Sequence, residues 1–259
     1  MDYPDLFYRL YERRLAQGLD ASRLPGHIGV VLDGNRRWAK AAGEPTARGH
    51  QAGADKILEF LGWSAEIGIP MVTLYMLSTD NLNRDASELR SLVAIISDTL
   101  KRLEEGEING RPIKVQPVGS TEILPASLSE QIRHLTRRGA HHNDSGMHVN
   151  VAVGYGGRQE IVDGVKELLI EAEEQGQTPG DVAEKLSIEE ISNRLYTRGL
   201  PDPDLVIRTS GEQRLSGFLM WQSAYAEFYF CEALWPDFRR VDFLRALRDY
   251  ASRQRRYGS

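Results

Sequence analysis

Short apolar runs at 28–32, 71–77, 113–118, 147–153, 204–208 and 227–230 alternate with amphipathic stretches at 36–42, 49–67, 86–104, 126–140, 157–174, 187–195 and 240–254. This alternation constrains the fold more tightly than any other feature. The runs are too short for core helices and rich in Val, Ile and Leu, as strands buried on both faces are. Strands of that kind separated by helices predict an α/β fold with a mostly parallel central sheet of about six strands covered by helices. Gly68 sits where a left-handed cap would stop the 49–67 helix. Asp85 or Ser87 suits the N-cap of the 86–104 helix. In that helix Leu89, Leu92, Val93, Ile96, Leu100 and Leu103 form a continuous apolar stripe.

The 259 residues carry no internal repeat and no low-complexity segment. They read as one domain spanning 25–259, preceded by an N-terminal helical segment at 1–24. The stretch 174–187 reads as a solvated connection rather than a boundary. In the first segment Leu6, Leu10, Tyr11 and Leu15 recur at helical spacing. Four arginines there meet four acids, so docking on the fold or on a partner subunit is expected ahead of membrane contact. A net charge of -5 argues against a general nucleic-acid binder. No apolar run approaches the ~20 residues of a membrane span, and the start lacks a signal-peptide pattern. The single cysteine, Cys231, allows no internal disulfide and reads as a small buried hydrophobe. A cytoplasmic protein is expected.

In open parallel sheets, ligands bind beyond the carboxyl ends of the strands. After the first strand comes Asp33-Gly34-Asn35-Arg36-Arg37-Trp38. After the second come Ser78-Thr79-Asp80-Asn81 and Asn83-Arg84. Gly119-Ser120-Thr121 follows the third and Gly154-Tyr155-Gly156-Gly157-Arg158 the fourth. Arg208-Thr209-Ser210-Gly211 and Arg214-Leu215-Ser216 follow the fifth. Any one polar loop means little, but five such ends converging on one rim point to phosphate. Gly34 permits a tight turn, the next helix aims free N–H groups at an anion, and arginine forks match phosphate oxygens. Arg36, Arg37, Arg84, Arg208 and Arg214 are too many for one monophosphate and suggest two polyanionic groups or one long one. Asp33 would repel phosphates unless a divalent cation lay between; the plainer reading is a helix cap. No Walker A loop is present, and "GYGGR" is wrongly spaced for a dinucleotide fingerprint. Met76, Leu77 and the 86–104 helix offer an apolar wall below the rim. Together they suit an amphiphile with a charged head and a hydrocarbon tail.

The motifs "HIGVVLDGNRRWAK", "GHQAGADKI", "LYMLSTDNLNR", "NVAVGYGGRQEIVDGV", "PDPDLVIRTSGEQRLSGFLMWQSAYAEFYF" and "LWPDF" resemble, in order, those of cis-prenyltransferases, the family of undecaprenyl diphosphate synthase. The resemblance runs from Pro25 to Gly258. Over 201–250 it is closest to the bacterial (2Z,6E)-farnesyl diphosphate synthases. It implies that an allylic diphosphate loses its diphosphate while the double bond of isopentenyl diphosphate attacks, with Mg²⁺ as cofactor. It also implies a homodimer and at most peripheral membrane contact through product. Asp33 resembles the essential acid that handles Mg²⁺ and the allylic diphosphate. Gly34, Asn35, Arg36 and Arg37 would cradle that group; Trp38, His50, Ser78, Thr79 and Asp80 would line it, with Leu82 and Arg84 beside it. Asn81 matches the position named as proton acceptor. A neutral amide is a poor base, so Asn81 is expected to orient substrate while released diphosphate takes the proton. Arg208, Arg214, Leu215 and Ser216 match the isopentenyl diphosphate site. Glu227 matches a second metal-linked carboxylate, its plainer reading being a strand-edge acid. Arg256 and Gly258 match an R-x-G element that reaches a neighbouring subunit's site.

Some positions depart from the family pattern. Thr46 stands where many long-chain members carry Arg, with Arg48 two residues on; Gln213 stands where His is common; Leu82 replaces a frequent Trp. Met76 occupies a position that is small in long-chain enzymes, and Leu77 adjoins it. At ~0.8 kcal/mol per CH₂, an isoprene unit gains about 4 kcal/mol by burial if its tunnel is open. Met76 across that path predicts a short, fifteen-carbon product from geranyl diphosphate. A decaprenyl or undecaprenyl diphosphate synthase is the alternative. A non-catalytic partner subunit is a third reading, opposed by the presence of Asp33 and the arginines.

Overall fold

The computed structural model describes residues 3–139 and 146–253. The strands are β1 (His27–Val31), β2 (Met71–Ser78), β3 (Glu107–Ile108), β4 (Arg111–Val118), β5 (Met147–Tyr155), β6 (Leu205–Arg208) and β7 (Glu227–Phe230). They form one sheet in the order β3-β4-β5-β2-β1-β6-β7. Every pairing is parallel except that of β3 with β4. The helices are α1 (Tyr3–Gln17), α2 (Asn35–Ala41), α3 (Thr46–Ile67), α4 (Ala86–Glu104), α5 (Ala126–Gly139), α6 (Gly157–Glu174), α7 (Pro179–Lys185), α8 (Ile188–Ser192) and α9 (Arg240–Ser252). No described helix is long and apolar enough to cross a membrane.

The predicted α/β sheet is present, with a seventh strand and changes among the helices. A seventh strand, β3, hairpins onto β4 through Asn109 and Gly110, both left-handed at φ 52° and 72°. Two residues are too few to show a period of two, although Asn-Gly is itself a hairpin signal. The connection at 174–187 is solvated as expected, and it holds α7, which starts at Pro179 under a Thr178–Asp181 capping box. The helix expected at 187–195 is the shorter α8. Gly68 caps α3 at φ 92°, and Asp85 caps α4 by accepting from the Ser87 N–H.

The core lies on both faces of the sheet. On one, α3, α4 and α9 cover Ile28, Val30, Val72 and Leu74, around the fully buried Phe60, Trp235, Phe238 and Phe243. On the other, Val31, Ala152, Tyr155 and Val206 meet Phe218 and Leu219. Burying each such large side chain contributes roughly 1.5–3 kcal/mol. The first segment docks on the fold through Leu15, buried against Val241 and Leu244. Leu10 is left 54% exposed, and Arg245 lies over the Tyr11 ring.

Candidate active site

The first loop is held by backbone bonds before any side chain faces solvent. The Asp33 N–H donates to Thr209 Oγ1 (3.1 Å), and that hydroxyl donates to the Asp33 carbonyl (2.7 Å). The Trp235 N–H also donates to the Asp33 carbonyl (3.0 Å). Gly34 then turns at φ 111° against Leu234, where a Cβ would fall 2.9 Å from Leu234 Cδ2. Only glycine fits both the angle and the space. Asn35 opens α2 against Gly49 and Gly53 of α3; a Cβ on Gly49 would lie 2.1 Å from the Asn35 carbonyl oxygen. The Trp235 indole donates to the Gly53 carbonyl (2.8 Å). The "LWPDF" motif thus fastens the first loop and α3 together.

Three carboxylates organise the cations around this loop. Arg208, 3% exposed, donates from Nη2 to Asp33 Oδ2 (2.8 Å) and from Nη1 to Ser216 Oγ (2.7 Å) and the Arg214 carbonyl. Glu88 draws in Arg84 (2.9 Å), His50 (3.4 Å) and Arg36 (3.5 Å). Glu212 lies between Arg214 (3.3 Å) and Arg37 (3.7 Å). Neither Glu88 nor Glu212 stands out in the sequence. The one signal for Glu88 is its i,i+4 spacing from Arg84 in the first turn of α4. Burial holds the His50 imidazole below its ordinary pKa, against the opposing pull of Glu88. Among the residues that line the cleft, Asn35 Oδ1, His50 Nδ1 and Arg208 Nε are buried with no partner. Orphaned atoms gathered at one rim mark a place built to receive polar ligand atoms.

Three adjoining spaces share Leu32, Asn35 and His50 as borders. A polar cleft of about 280 Å³ is lined by Asp33, Ser78, Asp80, Asn81, Arg84, Arg208, Arg214 and Ser216. An outer bay of about 760 Å³ is lined by Gly34, Arg36, Arg37, Thr46, Arg84 and Arg214. An apolar cavity of about 40 Å³ runs inward between Ile57, Ile95, Ile96 and Trp235. Met76 and Leu92 line both the cleft and the apolar cavity. A β-bulge puts Met76 there. Strand β2 pairs in step with β5 up to Tyr75–Ala152, but Leu77 already faces Val153, so Met76 is the extra residue.

The site is thus a cationic, phosphate-sized cleft beside a small apolar cavity. The family model described as undecaprenyl diphosphate synthase matches residues 31–258. The chain belongs to this family of cis-prenyltransferases. It is 53% identical to isoprenyl transferase 1 of Streptomyces avermitilis, over 98% of this chain and 96% of that one. It is also 53% identical to the (2Z,6E)-farnesyl diphosphate synthase of Thermobifida fusca, over 97% and 96%. The short-chain Z-isoprenyl diphosphate synthase of Mycobacterium bovis is 53% identical as well, over 97% and 95%. Among solved structures, lavandulyl diphosphate synthase from Lavandula x intermedia in complex with dimethylallyl diphosphate superposes with a TM-score of 0.83 at 33% identity. That match covers 92% of this chain and all of that one. The protein is therefore an enzyme, a transferase of prenyl groups.

Several residues expected in the cis-prenyltransferase cleft lie elsewhere. The Trp38 indole donates to Asp237 (2.8 Å) and braces α2 instead of lining the cleft. Arg48 is exposed on α3, outside the cleft, while Thr46 borders the outer bay. Thr79 packs under Gly156, and Leu82 against the main core. Leu77 is fully buried in that core and lines neither the cleft nor the apolar cavity, whereas Met76 and Leu92 line both. The Leu215 carbonyl accepts from the Phe218 N–H, shaping the loop from behind the cleft. Asn81 accepts the Ser78 N–H on its side-chain carbonyl (3.2 Å), so what its amide can offer the cleft is the NH₂, a donor. Glu227 opens β7 in register with Leu205, at the opposite end of the sheet from Arg208, and pairs with Arg253 (2.5 Å). It cannot share an ion with Asp33 of the same chain. Arg256 and Gly258 lie outside the described residues.

Among the described residues no three His, Cys, Asp or Glu side chains cluster as a metal cage. Mg²⁺ seldom needs one: it keeps waters and binds through one or two carboxylates plus substrate phosphates. The Asp33 side chain is 36% exposed at the cleft, and one of its oxygens is taken by Arg208. That donor set fits an ion carried in with a diphosphate.

Proposed function

We propose that the chain condenses isopentenyl diphosphate with a short allylic diphosphate, geranyl diphosphate, to give (2Z,6E)-farnesyl diphosphate. The observation that carries this reading is the small apolar cavity of about 40 Å³ lined by Met76, next to two groups of cations. The allylic head binds in the bay and cleft among Gly34, Asn35, Arg36, Arg37 and Arg84, with its tail toward Met76. Isopentenyl diphosphate binds at Arg208, Arg214 and Ser216. The allylic C–O bond breaks, the isopentenyl double bond attacks the allylic carbon, and a proton passes from the new chain to the departing diphosphate. The arginines meet charge that grows on that leaving group, so they act most strongly in the transition state. Asn81 orients substrate by donating. Mg²⁺ held by Asp33 would supply further neutralisation of the diphosphate.

A homodimer is part of this reading. Strand β7 ends the sheet with one edge open, and Tyr225 beside it is 91% exposed. Glu227 and the Arg256–Gly258 element would then serve the neighbouring subunit. So is a reducing, cytoplasmic setting: burial pushes the Cys231 thiol up and leaves it a poor nucleophile. The test is mass spectrometry of the dephosphorylated product made with Mg²⁺ from dimethylallyl, geranyl and farnesyl diphosphates. A single addition to geranyl diphosphate is expected; a long-chain ladder from any starter would refute the short-chain assignment.

A further inference from the structure

The "GYGGR" motif plays no part in the proposed reaction. Its residues line neither the cleft, the bay nor the apolar cavity. It faces instead the loop that follows β6. The Gly157 N–H donates to the Gly217 carbonyl (2.9 Å), and a Cβ on Gly157 would fall 2.5 Å from that oxygen. The loop is strained. Ser210, Ser216 and Leu219 stand at φ 79°, 50° and 45°; among the described residues only Asn109 shares this conformation without being glycine. Such angles persist where the surroundings over-determine them.

The surroundings converge on one buried acid. Glu160 is 0% exposed. The Tyr155 hydroxyl donates to its Oε2 (2.5 Å), and the Gln222 amide donates to both its oxygens (3.1 Å each). The backbone N–H groups of Tyr196 and Thr197 also turn toward it. Gln222 donates further to Thr197 Oγ1 (2.6 Å). Phe218 stacks on Tyr75 at 4.7 Å and meets Tyr155 edge-on. Glu160 is therefore the point where β5–α6, the 196–197 turn and the loop ending at Gln222 are tied. An acid buried in an apolar cluster is unfavourable unless fully hydrogen-bonded, and an apolar residue would pack there more cheaply. Its use is to set geometry.

We propose that Glu160, through Tyr155 and Gln222, is the positioning residue for the isopentenyl diphosphate end of the cleft. It locks the loop so that Ser216 holds Arg208 in place. The inference rests on the proposed assignment of Arg208, Arg214 and Ser216 to isopentenyl diphosphate. Gly217 adjoins Ser216, so a loosened Gly157–Gly217 contact shifts the Ser216 hydroxyl and frees one arm of Arg208. The first loop, at the allylic end, hangs instead on Leu234, Trp235 and Glu88 across the sheet, while Ser78 beside it pairs with Tyr155.

The test is calorimetric binding of isopentenyl diphosphate alone and of geranyl diphosphate alone, with Mg²⁺, to Glu160→Gln, Gln222→Glu, the double exchange and Tyr155→Phe. Each single exchange puts like groups face to face, and losing such buried bonds should weaken isopentenyl diphosphate about 10-fold. Geranyl diphosphate should stay within about twofold, and the double exchange, which restores an acid–amide pair, should recover most of the loss. Tyr155→Phe keeps the charge and should fold even where a single exchange does not; a loss of about threefold is expected from one missing donor. Equal weakening of both ligands, unchanged isopentenyl diphosphate binding, or no recovery in the double exchange would overturn the proposal. Wild-type protein that binds isopentenyl diphosphate yet forms no product refutes the reaction and leaves this comparison intact.

Discussion

Asp33 and Asp204 flank neighbouring strands of one sheet and are put to opposite uses. Asp204, before β6, accepts the Gly26 N–H (2.6 Å) and the His27 N–H (3.1 Å), while its own backbone joins the feet of β1 and β7. Asp33, after β1, has its backbone just as firmly held, yet its carboxylate meets Arg208 at the cleft and is over a third exposed. At the base of the sheet, polarity is consumed by structure. At the rim it is left available. The strands repeat the contrast: β2 keeps step with β5 at its base and slips register only past Tyr75, at Met76 and again after Leu77. Rigid backbone with unspent side chains is the arrangement a catalytic site needs.

The largest expected effect breaks this comparison at the rim. Asp33→Asn should lower kcat about 10³-fold, as loss of a transition-state electrostatic partner does, while changing the melting temperature little. Steady-state rates beside a thermal melt check it. A variant that melts early but turns over normally when folded would make Asp33 a structural acid like Asp204.

Next comes Met76→Ala, which opens the cavity behind the bulge. One further isoprene unit should then be buried, at ~0.8 kcal/mol per CH₂, and the major product should lengthen. Chromatography of dephosphorylated products reads this directly. An unchanged distribution would shift the stop to Leu92, the other residue shared by cleft and cavity.

The same contrast governs how much of the molecule is legible in its sequence. Strands buried on both faces carry a strong apolar signal, so the sheet, the rim and the convergence of Asp33, Arg84 and Arg208 can all be read from the chain. Side-chain direction cannot. Trp38 lies one helical turn from Gly34, which suggests the cleft, but its indole finds Asp237 instead. Leu77 and Met76 are adjacent, and strict alternation would put them on opposite faces; the bulge between registers carries no sequence signal here. Glu88 and Glu212 sit among arginines in the chain and look like ordinary surface acids. Their roles depend on Arg36 and Arg37, which come from a different strand end. Glu160 is hidden for the same reason, because Gln222 lies far along the chain.

At the base, Asp204→Asn should leave catalysis per folded molecule intact and cost roughly 1–3 kcal/mol of stability, since charged acceptors of backbone N–H groups are lost. Urea unfolding beside a rate measurement separates it from Asp33→Asn. Loss of activity without loss of stability would erase the distinction between the two aspartates.

The smallest effect lies beside Asp204, at His27, which is 3% exposed. The Pro201 carbonyl can only accept, so His27 Nδ1 carries the proton that bridges their 2.8 Å. Its Nε2 then accepts from the Thr73 hydroxyl (2.7 Å), which in turn accepts from Asn150 (3.0 Å). Burial holds the imidazole below its ordinary value, despite the opposing influence of the Pro201 carbonyl and Asp204. An unfolded chain protonates this ring as pH falls through about 6.5, whereas the native one resists. Stability from His27 is therefore present above that pH and is lost below it, by at most about 1.4 kcal/mol per pH unit. Urea unfolding of wild type and His27→Gln at pH 8 and pH 5.5 isolates it, because His50 titrates in both. Wild type should lose more stability on acidification than the variant. Equal losses would mean the ring is charged in the fold, and that the base, too, holds polarity in reserve.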